Sequence, residues 1–170
     1  LMAKQAMDLA MSQGRWRADR CLTDQVGLLE TVQPASLSRW QDLARTIDPD
    51  LLTRLLIRYG SGTFHLLRLL DQDPALVRPL CPHHESIEAE VVHALQQELA
   101  CSITDVLARR TRLAWSSCQG LDALSRVTDL FLRYGGASRA QVEQQVEAYH
   151  QFLAMGLAFR IHSASQNVST

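Results

Sequence analysis

Two Asp-Pro pairs, Asp48-Pro49 and Asp73-Pro74, constrain this chain more than any other local feature. The first N–H groups of a helix have no partner within the helix. An aspartate just before the first turn accepts from them, and proline fits that turn because its missing N–H is not needed there. Behind Asp48-Pro49, Leu51, Leu52, Leu55, Leu56 and Tyr59 recur at helical spacing, and Gly60 stops the run. Ser61 opens the next helix with Phe64, Leu66, Leu67 and Leu70, and Asp73-Pro74 starts a short one through Val77.

The same pattern extends through most of the chain. Met2 to Ser12 has Met2, Ala3, Ala6, Met7, Ala10 and Met11 at helical spacing, with Gly14 as its stop. Ser36 or Ser38 can cap a helix through about Thr46. Pro79 and Pro82 break the chain and leave His83-His84-Glu85 in a loop. Helices are then predicted over 86–100 and 102–116, the second capped by Ser102 with Asp105 completing a capping-box-like arrangement. Another runs from Gly120 to Arg133, ended by Gly135-Gly136, and a last one from Ser138 to about Arg160. Only 8 Gly and 5 Pro interrupt a composition rich in Leu, Ala, Arg, Gln and Glu. The expected fold is all-α: a multi-helix bundle of about six to eight helices with an N-terminal helical arm and an irregular linker.

The 170 residues suit one domain with an appended arm. We divide them into a first helix (1–14), a linker (15–31), a helical domain (32–162) and a frayed polar tail (163–170). Leu1 before Met2 predicts a piece cut from a longer protein. The balance of 17 basic and 18 acidic residues argues against a nucleic-acid binder that neutralises phosphates. No apolar run approaches the ~20 residues that span a bilayer, and no signal peptide is visible, which predicts a cytoplasmic protein. Cys21, Cys81, Cys101 and Cys118 have no Cys-x-x-Cys spacing and are expected as reduced thiols.

Two neighbouring helices carry charges on their apolar faces. In the second, Ile103, Val106, Leu107, Leu113 and Ala114 share a face with Arg110 in its middle, whereas Arg109 lies outside it and pairs with Asp105 at i,i+4. In the first, Glu88 and Glu98 fall within or beside the face of Ile87, Val91, Ala94, Leu95 and Leu99. A buried charge without a partner costs several kcal/mol. A structural ion pair of Glu98 or Glu88 with Arg110 is therefore expected. A ligand anion at Arg110, or a guanidinium snorkelling to solvent, are the other readings.

This stretch also carries a resemblance. Glu88-Ala89-Glu90-Val91-Val92-His93-Ala94-Leu95, Glu98-Leu99-Ala100 and Thr104-Asp105-Val106-Leu107-Ala108-Arg109-Arg110-Thr111-Arg112-Leu113-Ala114 resemble the C-terminal domain of FAD-dependent (respiratory) glycerol-3-phosphate dehydrogenases and the related glycerophosphate oxidases. Arg58-Tyr59-Gly60-Ser61, Leu70 to Pro74, Pro79-Leu80 and Cys21-Leu22-Thr23 resemble further parts of that domain. Met2-Ala3 to Asp8 resembles the helix that closes the family's flavin domain. The resemblance implies a parent enzyme that oxidises sn-glycerol 3-phosphate to dihydroxyacetone phosphate. It passes hydride to FAD and electrons on to a quinone, as a peripheral protein on the cytoplasmic face of the inner membrane. It also implies that the flavin and substrate sites lie N-terminal to Leu1; this chain has no G-x-G-x-x-G. The piece itself is expected to hold no cofactor and no catalytic residues. Its expected partner is the flavin domain of the same chain, with homo-oligomers through exposed apolar surface or arm exchange as a further contact.

Other candidates read as structural. Cys81, His83, His84 and Glu85 lack the recurrent spacing of a zinc site, so no metal is expected. His93 and His150 have no evident acid–base partner. Trp16, Trp40 and Trp115 are core or domain-contact residues. Arg15, Arg17 and Arg20 suit a contact with the flavin domain better than with anionic lipid. The alternative reading of the whole is a free-standing helical interaction module.

Overall fold

The computed structural model describes residues 2–14, 22, 25 and 45–166, with the side chains of the last helix described as far as Gly156. The expected linker, the helix ending near Thr46, and Trp16 and Trp40 lie wholly or mostly outside the described residues.

Helix α1 (Met2–Gln13) is exposed along almost its whole length, including Met2, Met7 and Leu9. Helix α2 (Pro49–Tyr59) starts as its capping signal dictates: the Asp48 carboxylate accepts from the amides of Asp50 and Leu51, both at 3.0 Å. A 3₁₀ turn, Gly60–Gly62, leads into α3 (Thr63–Gln72), which buries Leu66, Leu67, Leu69 and Leu70. Asp73 then accepts from the Ala75 amide and opens the 3₁₀ turn Pro74–Val77.

The expected loop after Pro79 is instead a small antiparallel hairpin of β1 (Pro79–Cys81) and β2 (His84–Ile87), with an irregular register between Pro79 and Cys81. Each strand is too short to show a period, and each buries its two C-terminal residues under the helices. The helix expected from Ser86 therefore begins two residues later, as α4 (Glu88–Gln97).

Helix α4 is the centre of the fold. Every residue from Glu88 to Ala94 is buried, because α3, the hairpin and α5 (Leu124–Tyr134) pack around it. The helix ends with Leu99 in the left-handed region (φ 53°), where the amide of Ala100 turns back to the Ala94 carbonyl. Leu99 is thus exposed, a correction to its expected place on the apolar face.

The helix predicted over 102–116 is also corrected. Ser102 and Asp105 form the expected reciprocal cap: the Asp105 amide donates to the Ser102 hydroxyl at 3.1 Å, and the Asp105 carboxylate accepts from the Ser102 amide at 3.0 Å. Beyond it, residues Asp105–Arg110 wind as a π-helix, Arg112 takes φ 61°, and a 3₁₀ turn follows at Leu113–Trp115. The carbonyl partners mark the wider winding and where it ends. The Thr111 amide and hydroxyl both take the Val106 carbonyl at 2.8 Å, the Trp115 indole takes that of Ala108 at 3.0 Å, and the Arg58 guanidinium takes that of Arg110. The Val106 bond is the i→i+5 bond of the π turn, and the other two take carbonyls that a helix continuing past Arg110 would use.

A 3₁₀ turn at Leu121–Ala123 leads into α5, which buries Val127, Leu130 and Phe131 and packs on α6 (Arg139–Gln166). Ser138 caps α6 reciprocally with Gln141. Tyr149 of α6 is fully buried, and its hydroxyl donates to the Gln119 carbonyl. The protein is a mostly helical multi-helix domain with one two-stranded sheet among the described residues.

Candidate functional site at the buried Glu90 carboxylate

Glu90 lies on α4 with no solvent exposure. Arg54 and Arg58 of α2 are four residues apart, so both guanidinium groups reach the same place across the helix interface. The Arg54 guanidinium donates to both oxygens of Glu90, at 3.2 and 3.3 Å, and Arg58 Nη1 lies 3.3 Å from Glu90 Oε1. The Tyr59 hydroxyl donates to Oε1 at 2.9 Å. The Ile87 amide, at the start of α4, donates to Oε2 at 2.7 Å. One carboxylate thereby ties α2, the hairpin and its own helix together.

Arg58 extends the network. Besides the Arg110 carbonyl, it approaches the Ser86 hydroxyl at 3.4 Å. Burial, and after it the Glu90 charge, push the Tyr59 phenol well above its usual range, so it stays a donor. Behind Tyr59, His65 and His93 meet through their Nδ1 atoms at 3.1 Å. Burial lowers the pKa of both imidazoles; for His65 the charges of His93 and Arg68 add to it, whereas for His93 Glu90 partly opposes it. Two neutral rings suit this contact, since one nitrogen donates and the other accepts.

The structure places the sequence-derived charges as follows. Arg110 Nε is 3.7 Å from Glu98 Oε2, and Arg110 Nη2 donates to the Glu98 carbonyl at 2.6 Å. Both side chains are partly exposed, 38% and 28%, so the contact sits at the rim of the core. Glu88 does not approach Arg110; it faces Arg78 at 3.7 Å and Arg126 at 3.6 Å. Asp105 and Arg109 pair at the surface. Burial alone would raise the Asp105 pKa, but the Ser102 hydroxyl, Arg109 and the amides of Cys101 and Ser102 bring it below the usual carboxylate range.

The sequence pattern assigns no site to Glu90, Arg54 or Arg58, and His93, expected without an acid–base partner, meets His65. Glu90 flanks the apolar stripe of α4, about 40° from Ala94, on an edge that a one-sided helix would turn to water. Two signals pointed to it: the i,i+4 arginines beside Leu55, which repel unless they share an anion, and a Glu three residues after the residue that opens a helix.

Clefts lie at two places among the described residues. A groove of about 400 Å³ is lined by Cys101, Gly135, Gly136, Gln141, Gln144 and Gln145 among others. One of about 270 Å³ lies among Arg78, Glu88, Arg126, Asp129 and Arg133. The first presents amides and small residues, and ion-paired side chains fill the walls of the second. Neither of these two clefts offers the apolar slot that a flavin ring system needs. Among the described residues no group of three His, Cys, Asp or Glu side chains is placed to hold a metal. No helix among them is long and apolar enough to cross a membrane.

A family model described as the C-terminal domain of alpha-glycerophosphate oxidase matches residues 15–142. The chain belongs to this family. Within this alpha-glycerophosphate oxidase C-terminal domain family, the match takes in α2 to α5 and the whole Glu90 network. The glycerol-3-phosphate dehydrogenase of Synechocystis sp. is 28% identical over 103 residues, 60% of this chain and 19% of that protein. Glycerol-3-phosphate dehydrogenase 2 of Mycobacterium tuberculosis is 26% identical over 153 residues, 88% of this chain and 26% of that protein. The human mitochondrial glycerol-3-phosphate dehydrogenase is 26% identical over 122 residues, 69% of this chain and 17% of that protein. The chain thus spans about a quarter or less of the length of these curated relatives. No solved structure matches it. The sequence expectation of a C-terminal domain of this enzyme family stands, and the free-standing module is not favoured.

Proposed function

We propose that this domain works as a rigid packing partner for the flavin domain of an FAD-dependent glycerol-3-phosphate dehydrogenase. The parent would oxidise sn-glycerol 3-phosphate to dihydroxyacetone phosphate and pass electrons through FAD to a quinone, at the cytoplasmic face of a membrane. The observation that carries this reading is the family match over residues 15–142, joined to relatives that are glycerol-3-phosphate dehydrogenases. The geometry supports a structural role. The charges of the core meet each other, and the Glu90 network ties three elements together.

Exposed apolar side chains mark where a partner would sit. Met2, Met7 and Leu9 of α1 are 85%, 60% and 59% exposed, and Ile57 on α2 is 81% exposed. The flavin domain of the same chain is the occupant we assign to them; exchange of α1 between two copies is the competing one.

The test is direct. The 170-residue chain is mixed with FAD and glycerol 3-phosphate, and flavin absorbance and dye reduction are followed. Neither should appear, and turnover would overturn the reading. The genomic sequence upstream of Leu1 should carry a flavin-binding G-x-G-x-x-G in frame; a stop codon just upstream would favour the module. Light scattering of the isolated chain separates a monomer from an arm-exchanged dimer.

A further inference from the structure

Cys81 and Cys118 are 37 residues apart in sequence, yet their sulfurs lie 4.0 Å apart. Cys81 ends β1 and is buried, with 3% of its surface exposed. Cys118 sits half-buried in the tight turn ahead of α5, where Gln119 and Gly120 both take left-handed backbone, at φ 52° and 73°. That turn aims polar groups at one sulfur only. The Ser116 hydroxyl lies 3.3 Å from Cys118 Sγ, and the amides of Gly120 and Asp122 point at it. The single hydroxyl hydrogen of Ser116 rests on the Leu113 carbonyl at 2.6 Å and can turn to the sulfur when Cys118 ionises.

We propose that Cys81 and Cys118 form a peroxide-responsive dithiol, in which Cys118 is the attacking sulfur and Cys81 the resolving one.

The two environments differ in the required sense. Burial works against ionisation at both thiols. At Cys118 the Ser116 hydroxyl, the Gly120 and Asp122 amides and the Cys81 thiol outweigh it and lower the pKa. At Cys81 burial wins, helped by the proximity of Cys118, and the pKa is raised despite the His83 amide. A lowered, partly accessible thiol beside a protonated partner is the arrangement that oxidants select.

The chemistry balances with hydrogen peroxide as the external two-electron oxidant. The Cys118 thiolate attacks one peroxide oxygen, the O–O bond breaks, and the second oxygen leaves as hydroxide, leaving a sulfenic acid on Cys118. The hydroxide takes the Cys81 proton and becomes water. The Cys81 thiolate then attacks the Cys118 sulfur; the S–S bond forms, the S–O bond breaks, and the oxygen leaves as hydroxide with the sulfenic proton and takes up the proton that Cys118 released on ionising, giving the second water. Two thiols and one peroxide give one disulfide and two waters. The sulfurs must close from 4.0 Å to about 2.0 Å. The bond would tie the hairpin to the start of α5.

The 170-residue chain is exposed to a small molar excess of hydrogen peroxide, quenched with iodoacetamide and mapped by peptide mass spectrometry. The expected product has Cys81 linked to Cys118, with both sites lost to alkylation and restored by dithiothreitol. In Cys81→Ser, Cys118 should stop at the sulfenic acid and take up dimedone; in Cys118→Ser, Cys81 should remain alkylatable. Circular dichroism confirms that both variants fold, and a variant that does not is replaced by the corresponding alanine. The proposal is overturned if Cys81 and Cys118 stay alkylatable while Cys101 is oxidised. It also fails if Cys118 bridges to a different cysteine, or if Cys81 oxidises equally fast without Cys118.

Discussion

Replacing Glu90 by glutamine tests whether one carboxylate holds the domain together. The substitution keeps the volume and one acceptor oxygen, but puts an NH₂ group where Arg54 and Arg58 now meet negative charge. Glu90 is fully buried, and the two arginine side chains are 19% and 26% exposed, so water gives them only partial relief. Truncating one member of a buried ionic set costs about 3–5 kcal/mol. The retained oxygen can keep one hydrogen bond, worth about 1 kcal/mol, to the Ile87 amide or the Tyr59 hydroxyl. The expected loss is therefore about 2–4 kcal/mol, a large part of the ~5–15 kcal/mol that separates folded from unfolded domains. Urea unfolding followed by far-ultraviolet circular dichroism reads it as a lower midpoint at unchanged slope. Glu88→Gln is the control. Glu88 is also buried, but its partners Arg78 and Arg126 are 57% and 49% exposed and stand 3.7 and 3.6 Å away. Its loss should cost about 1 kcal/mol or less. Equal losses for the two variants, or an unchanged midpoint for Glu90→Gln, would refute the reasoning.

Three further outcomes follow from local geometry. Leu99→Gly should stabilise the domain by about 1 kcal/mol, because Leu99 is 86% exposed at φ 53° and glycine relieves the left-handed backbone; a lower thermal midpoint would contradict this. Gly120→Ala should destabilise by about 2–3 kcal/mol, since the added Cβ would meet the Tyr149 hydroxyl at 3.0 Å at φ +73°; thermal unfolding measures it. Stability should also fall on acidification. His93 titrates lower in the folded protein than in the unfolded chain, where its pKa is about 6.5. The unfolded state therefore binds more protons, and stability is full above that pH and declines as pH falls toward the folded value. His93→Gln should flatten this decline in a series of urea midpoints.

What the sequence disclosed depended on the range of each interaction. Asp48, Asp73, Ser102 with Asp105, and Ser138 act on backbone groups within three residues of themselves, so their caps were readable without any tertiary information. The end of the helix at Arg110 was not, because its last carbonyls are taken by Arg58, from a distant helix, and by the indole of Trp115, past the left-handed Arg112. The hairpin escaped notice because strands of three and four residues cannot show alternation. Glu90 escaped because amphipathic reasoning assumes that a helix has a wet side, and from Glu88 to Ala94 α4 has none.

That enclosure has a dynamic consequence. A helix with a solvent side can fray or shed one neighbour while the rest of a domain stays folded. No amide between Glu88 and Ala94 can reach water unless α2, α3, α5 or the hairpin detaches, and Glu90 resists the detachment of α2 and of the hairpin at once. The amides of α4 should exchange with deuterium only through global opening, marking this helix as the slowest-exchanging unit of the protein, while those of α1 exchange almost freely.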